Sequence, residues 1–296
     1  MSNKPIKIFC DTCSDLTEEI RNERDIVSID FTIFFKGKEI NADPWAEVSP
    51  KELYDSMRYG ERAFTLPATE HEIKTKFKKY MNDYDIVYVA ACEKQSKTIV
   101  KARRIAEYLM KKYEGVRIEI IDSLNASIGQ MMVTLKACDL RDEGKSVEEI
   151  VKGTEAIRNK IIQFASVETL TYLSKANKIN ARSAMLGDFL KIKPILISDA
   201  DGNQTSIGSV KGRENSINEI VKRFMENVLK PEDQEIVVIH GDDEATAEKV
   251  KNLLIEKGLV CKEIQLYNVG PVVGITTGPG MVGIFGLGKE VTYRGE

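Results

Sequence analysis

The sequence predicts an α/β protein of two domains, the first an α/β/α layer on a parallel sheet and the second an α/β domain on a mixed sheet. Three observations carry this. Short β-branched runs alternate with longer amphipathic segments along most of the chain. Up to about residue 160 they repeat as strand, polar loop and helix, the pattern of parallel strands joined by crossover helices. Beyond about residue 165 that order breaks, and Asp201-Gly202, a strong hairpin signal, joins two strand-like runs directly. At 296 residues the chain is long enough for two such domains. They are placed at residues 1–165 and 166–296, with a ligand cleft where they meet.

The elements follow in order. Strands are expected at Ile6–Cys10, Ile26–Phe35, Ile86–Ala91 and Val116–Ile121, each rich in β-branched or aromatic residues. Helices with an amphipathic stripe are expected between and after them, at Pro50–Tyr59, Glu70–Asn82, Thr98–Tyr113, Ser127–Glu143 and Ser146–Phe164. In the second half the strands are Ile192–Ile197, Gln204–Val210, Ile236–His240, Cys261–Tyr267, Val272–Thr276 and Val282–Phe285. The helices there are Ala181–Leu190, Glu214–Leu229 and Glu244–Lys257.

Composition removes several functions. With 43 Lys+Arg against 46 Asp+Glu the net charge is −3, and no long basic cluster offers a footprint for phosphate backbones, so nucleic acid is not an expected partner. The start of the chain has only a short apolar stretch before Asp11, too little for a signal-peptide core, and a cytoplasmic location is expected. The uncharged run from Val269 to Gly288 is long enough to span a bilayer, but its glycines and prolines favour loops and short strands, so no stable membrane insertion is expected. Five cysteines, Cys10, Cys13, Cys92, Cys138 and Cys261, are an odd number and are read as reduced thiols. Only His71 and His240 are available, which leaves no metal ligand set and no histidine-based catalytic residues.

Loops that leave the carboxyl ends of parallel strands form the ligand crevice of an open sheet. Three here are rich in hydroxyls: Cys10–Asp15, Ala91–Thr98 and Asp122–Gly129. Such groups either cap the following helix or bind an anion, and spacing leaves both open. The Cys10-Asp-Thr-Cys13 motif likewise allows a thiol redox pair or two small residues packed at a strand end. His240 reads as a strand-end histidine, His71 as solvated and Trp45 as a loop anchor.

In this order the loops resemble the bacterial DegV family over about Ile6 to Val291. Asp11-Thr-Cys-Ser-Asp-Leu16 stands for the family's opening Asp-Ser-x-Ser-Asp-Leu, and Asp122-Ser123, Ser127 and Gly129 match its Asp-Ser-x-x-x-Ser-x-Gly. Leu170–Leu173, Leu190–Leu196, Asp201-Gly202, Lys211–Arg213 and Gly278-Pro-Gly280 follow in register. Where the family commonly has a histidine before the terminal glycine loop, this chain has Thr276, and Glu93 enters its second serine loop.

The resemblance implies a non-enzymatic protein that binds a long-chain fatty acid in a tunnel at the domain junction and presents the carboxylate to a separate fatty acid kinase, with no other cofactor. The lipid-binding residues it implies are Thr65, Ser96, Thr98, Thr276, Thr277 and Gly278, with Ile192 and Ile195 as tunnel walls and Lys191 and Lys193 outward. Lys193, Lys211 and Arg213 are the expected surface for docking the kinase. The alternatives are a binder of another small amphiphile on the same fold, and a redox protein using Cys10 and Cys13.

Overall fold

The structure, a computed structural model, describes residues 4–295 except 177–184, 186 and 188. Most of the helix expected over Ala181–Leu190 falls on that stretch and lies outside the described residues.

The first sheet is fully parallel. β1 (Ile6–Asp11) pairs with β2 (Ile26–Ile29) on one side and β6 (Asp85–Ala90) on the other, and β7 (Ile118–Asp122) completes the order β2-β1-β6-β7. Alternation along β1 shows that both faces are covered. Phe9 meets Phe77 and Tyr80 of α3 (Glu70–Tyr80) edge-on, at 5.7 and 5.6 Å between ring centres. Its neighbour Cys10, on the opposite face, lies beside Cys138 of α5 (Ser127–Asp142). α4 (Thr98–Lys112) packs along α3, and α6 (Val147–Arg158) along α5.

The run expected as one strand, Ile26–Phe35, is two. After β2 the chain turns at Asp30-Phe31, where the Phe31 N–H donates to Thr12 Oγ1 and Asp30 accepts from Ser28 and Lys76. β3 (Thr32–Phe35) then joins a separate antiparallel flap with β4 (Lys38–Asn41) and β5 (Ala63–Leu66), held partly by Phe34 stacked on Phe64 at 4.8 Å. Neither β4 nor β5 is foreseen from the sequence, being short and half-exposed.

The second sheet is mixed, in the order β10-β9-β8-β13-β11-β12. Its strands are β8 (Ile161–Ser166), β9 (Ile192–Ser198), β10 (Gln204–Lys211), β11 (Glu235–His240), β12 (Glu263–Asn268) and β13 (Val282–Leu287); only β11 and β12 run parallel. Two expectations are corrected here. The helix foreseen over Ser146–Phe164 stops at Arg158, and Ile161–Ser166 becomes an inner strand of the second sheet. The chain thus crosses between sheets at Asn159-Lys160, and β8, which lies before a division at 165, pairs in the second sheet. The strand foreseen over Val272–Thr276 is a helix (Pro271–Thr277), started by proline in its first turn and ended by Gly278 at φ 82°.

α8 (Arg213–Asn227) and α9 (Glu244–Glu256) cover one face of this sheet and bury Ile195, Ile197, Phe224 and Val250. The opposite face is turned to the first domain, and Ile239, Met281 and Phe285 are continuous with its core. Among the described residues no helix is long and apolar enough to cross a membrane.

Candidate functional site

A cavity of about 1250 Å³ lies between the loops that end β1, β6 and β7 and the uncovered face of the mixed sheet. This is the crevice position expected for an open parallel sheet, and the volume exceeds the roughly 300–1000 Å³ of ordinary small-molecule pockets. One floor row is set by strand register: Ser206 opposite Leu196, Leu196 opposite Ala165, Ala165 opposite Gly283, and Gly283 opposite Ile239. The small pair Ala165 and Gly283 keeps the centre of that row low. Met281, Phe285, Leu173, Val272 and Ile275 supply further apolar wall.

Thr65, Ser96, Thr276 and Thr277 all line this cavity, although they come from β5, the loop before α4 and the end of α10 (Pro271–Thr277). The Ser96 hydroxyl donates to Thr98 Oγ1 at 3.1 Å and accepts the Thr98 N–H at 3.2 Å. Thr98 itself is fully buried and stands behind Ser96, so its part is to position that hydroxyl. The Thr277 hydroxyl donates back into its helix, to Val273 O at 3.0 Å. Among the described residues the side chains of Thr65 and Thr276 make no hydrogen bond, which leaves both hydroxyls for a ligand.

Five residues, Gly278, Ile192, Ile195, Lys193 and Arg213, do not sit where the sequence reading places them. Gly278 offers no donor, because its N–H is bound to Gly274 O at 2.7 Å. Its role is close packing: a Cβ there would lie 2.1 Å from the ring of Tyr172, a cavity-lining residue whose hydroxyl donates to Met57 O. Ile195 points away from the cavity into the core under α8, and Ile192, at the start of the strand, does not reach the cavity. Pro194 and Leu196 line it instead. Lys193 is not outward-facing. It is buried, and its ammonium donates to Glu168 O and reaches Glu168 Oε1 at 3.2 Å. Arg213 shares that carboxylate, with Nε 3.3 Å from Glu168 Oε2, and also donates to Gly280 O. Of the expected docking cations only Lys211 is exposed.

The first loop meets the cavity only through Cys13, and its polar groups turn inward. Asp11 is fully buried; its carboxylate accepts from Tyr88 Oη at 2.7 Å and from the N–H groups of Ala91 and Cys13 at 2.9 and 3.1 Å. Burial still pushes its carboxyl above the ordinary range. Asp15 is also buried, accepts from the Ser127 hydroxyl and has its carboxyl raised by burial to about 7. Gly270 is required beside it, since a Cβ there would fall 2.2 Å from Asp15 Oδ1. Burial likewise raises the Cys10 thiol to about 12, the reverse of what a redox thiolate needs.

Several lining residues are invisible to motif reading. Arg62, Lys97 and Lys175 stand exposed around the mouth, and Gln95, Gln163 and Gln204 line the wall on the β10 side. Gln95 and Lys97 lie inside the hydroxyl-rich loop Ala91–Thr98 and Lys175 two residues past Leu170–Leu173, which is the only signal that pointed near them. Among the described residues no group of His, Cys, Asp and Glu is arranged to hold a metal. His240 is buried, and its Nδ1 accepts the Asp243 N–H at 3.1 Å.

Residues 5–289 match the family model described as "Uncharacterised protein, DegV family". A DegV domain-containing protein of Clostridium perfringens is 28% identical over 286 residues, 96% of this chain and 98% of that protein. Among solved structures, a DegV family protein from Thermus thermophilus, described with its fatty acid binding, superposes with a TM-score of 0.84 at 23% identity, covering 96% of this chain and 99% of that one. DegV of Bacillus subtilis, described as a fatty acid binding protein, gives 0.81 at 22% identity, over 97% and 100% of the two chains.

Proposed function

The chain belongs to the DegV family, and on that premise we propose that it binds a long-chain fatty acid in the interdomain cavity. The carboxylate is held at the mouth by Thr65, Ser96 and Thr276, with Thr98 behind Ser96 and Thr277 beside it. The acyl chain runs inward over Ala165, Leu196, Ile239 and Phe285. The observation that carries this reading is that three hydroxyl side chains, from three separate elements, line one large cavity whose other walls include Leu196, Ile239, Val272 and Phe285. A carboxylate taken out of water without donors is very unfavourable, so an acyl cavity needs such donors where its head group rests.

In this reading the protein carries out no chemical step. It works in the cytoplasm and offers the carboxylate at the rim to a separate fatty acid kinase. Arg62, Lys97 and Lys175, exposed around that rim, are the cations nearest the head group. They replace Lys193 and Arg213 as docking contacts, with Lys211 on a neighbouring strand end. A redox role for Cys10 and Cys13 is disfavoured by the raised thiol of Cys10.

Mass spectrometry of lipid extracted from the purified protein tests the reading. A long-chain fatty acid in near-equal amount to the chain is expected. Protein that is free of lipid and takes up no added fatty acid overturns it.

A further inference from the structure

The mixed sheet turns one conspicuously polar residue of an inner strand to the cavity, Gln163 on β8. Strands β8 and β9 share one ladder pair, Ala165 with Leu196, and Gln163 has no ladder partner on β9. Across β9, Gln163 Nε2 donates to Gln204 Oε1 of β10 at 2.7 Å. Among the described residues that is the one hydrogen bond either side chain makes. Gln163 Oε1 and Gln204 Nε2 are therefore left over, an acceptor beside a donor. Turning both amides about exchanges their positions and again leaves one of each. Gln163 is 8% exposed, Gln204 closes the pair from the exposed edge strand, and both line the cavity.

Tying the β9–β10 hairpin to β8 uses a single hydrogen bond, and a pair of leucines would fill the same space. The surplus donor and acceptor have no part in that tie. We propose that the Gln163–Gln204 pair is a second polar station of the cavity, which selects a fatty acid carrying a hydroxyl group along its acyl chain. A hydroxyl donates and accepts through one oxygen, so it satisfies Gln163 Oε1 and Gln204 Nε2 together. A plain methylene laid over them removes water from both and returns no hydrogen bond. Phe285, opposite Gln163 in the ladder, is the apolar surface against which the flanking methylenes pack. The inference rests on the fatty-acid reading above and adds the class of acyl chain.

The test is calorimetric titration of the delipidated full chain with octadecanoic acid and with a set of hydroxyoctadecanoic acids differing in hydroxyl position. At least one positional isomer is expected to bind about tenfold tighter than octadecanoic acid, as one or two added hydrogen bonds imply. In Gln163→Leu and in Gln204→Leu that preference falls to near parity while octadecanoic acid is still bound. Gln204 lies on an exposed edge strand, so its variant decides the matter if the buried one fails to fold. A wild-type protein that binds octadecanoic acid but prefers no hydroxyl isomer overturns the inference alone, as does a preference that survives in Gln204→Leu. Binding of neither kind of acid overturns the fatty-acid reading and this inference with it.

Discussion

The loops that follow β1 and β6 leave the same edge of the same parallel sheet, and both carry hydroxyls and acidic groups, yet they do opposite things with them. In Asp11–Asp15 the donors are consumed internally: Asp11 accepts from Tyr88, Ala91 and Cys13, Ser14 donates to Asp11 O, and Asp15 Oδ2 accepts from Ser127, while Asp15 Oδ1 is buried without a partner among the described residues. All of these residues are buried. In Cys92–Lys97 the serine is half-buried, is braced only by Thr98 and opens on the cavity. Residue type at a strand end therefore does not identify a ligand site. What distinguishes the two loops is whether each donor already has a partner within the protein.

Breaking the closed loop has the largest expected effect. Asp11→Ala leaves Tyr88 Oη and two N–H groups buried without an acceptor, and at about 1–3 kcal/mol each the loss of stability should be about 5 kcal/mol. Urea unfolding of the two proteins measures it; a loss under about 1 kcal/mol would show that the network is dispensable.

Asp15 tests the same loop through pH. Its carboxyl titrates near 7 in the folded protein against an ordinary 3.8, so between these values the folded chain keeps a proton that the unfolded chain has released. Its contribution to stability is full below about pH 3.8 and is lost as pH rises to about 7, by no more than about 4 kcal/mol. In Asp15→Asn this part of the pH dependence should vanish, which parallel unfolding curves at several pH values will reveal.

Ser14→Ala, which removes one buried hydrogen bond of 2.8 Å to Asp11 O, should lower stability by about 1 kcal/mol and leave fatty acid affinity unchanged. The smallest effect concerns the thiols. Four of the five cysteines are buried and Cys261 is partly exposed, so a thiol reagent should label Cys261 alone in the native protein and the rest only on unfolding. Rapid native labelling of Cys10 would place that loop in the open class with the Ser96 loop.

The sequence marks this contrast unevenly. β1, β6 and β7 are legible because short β-branched runs end in polar loops, and the three hydroxyl loops are found correctly as the edge of the crevice. β8 is lost because Ile161, Ile162 and Phe164 continue the apolar period of α6 past its end, and Gln163 is lost with it. α10 is misread because Val272, Val273 and Ile275 favour strands, while the proline and glycine that bound it specify a helix. Ile195 is assigned to the wrong face because β9 is buried on both sides, so hydrophobicity does not alternate along it. Lys193 reads as exposed because its partner, Glu168, lies 25 residues away in a different element.

The contrast between the two loops is tested most directly by titrating octadecanoic acid into delipidated wild-type protein, Ser96→Ala, Thr65→Ala and Ser14→Ala. A charge-assisted hydrogen bond contributes about 1.5–3 kcal/mol, so Ser96→Ala and Thr65→Ala should each bind at least about tenfold more weakly, with Ser14→Ala equal to wild type. Unchanged affinity in both Ser96→Ala and Thr65→Ala would place the carboxylate elsewhere and contradict the account.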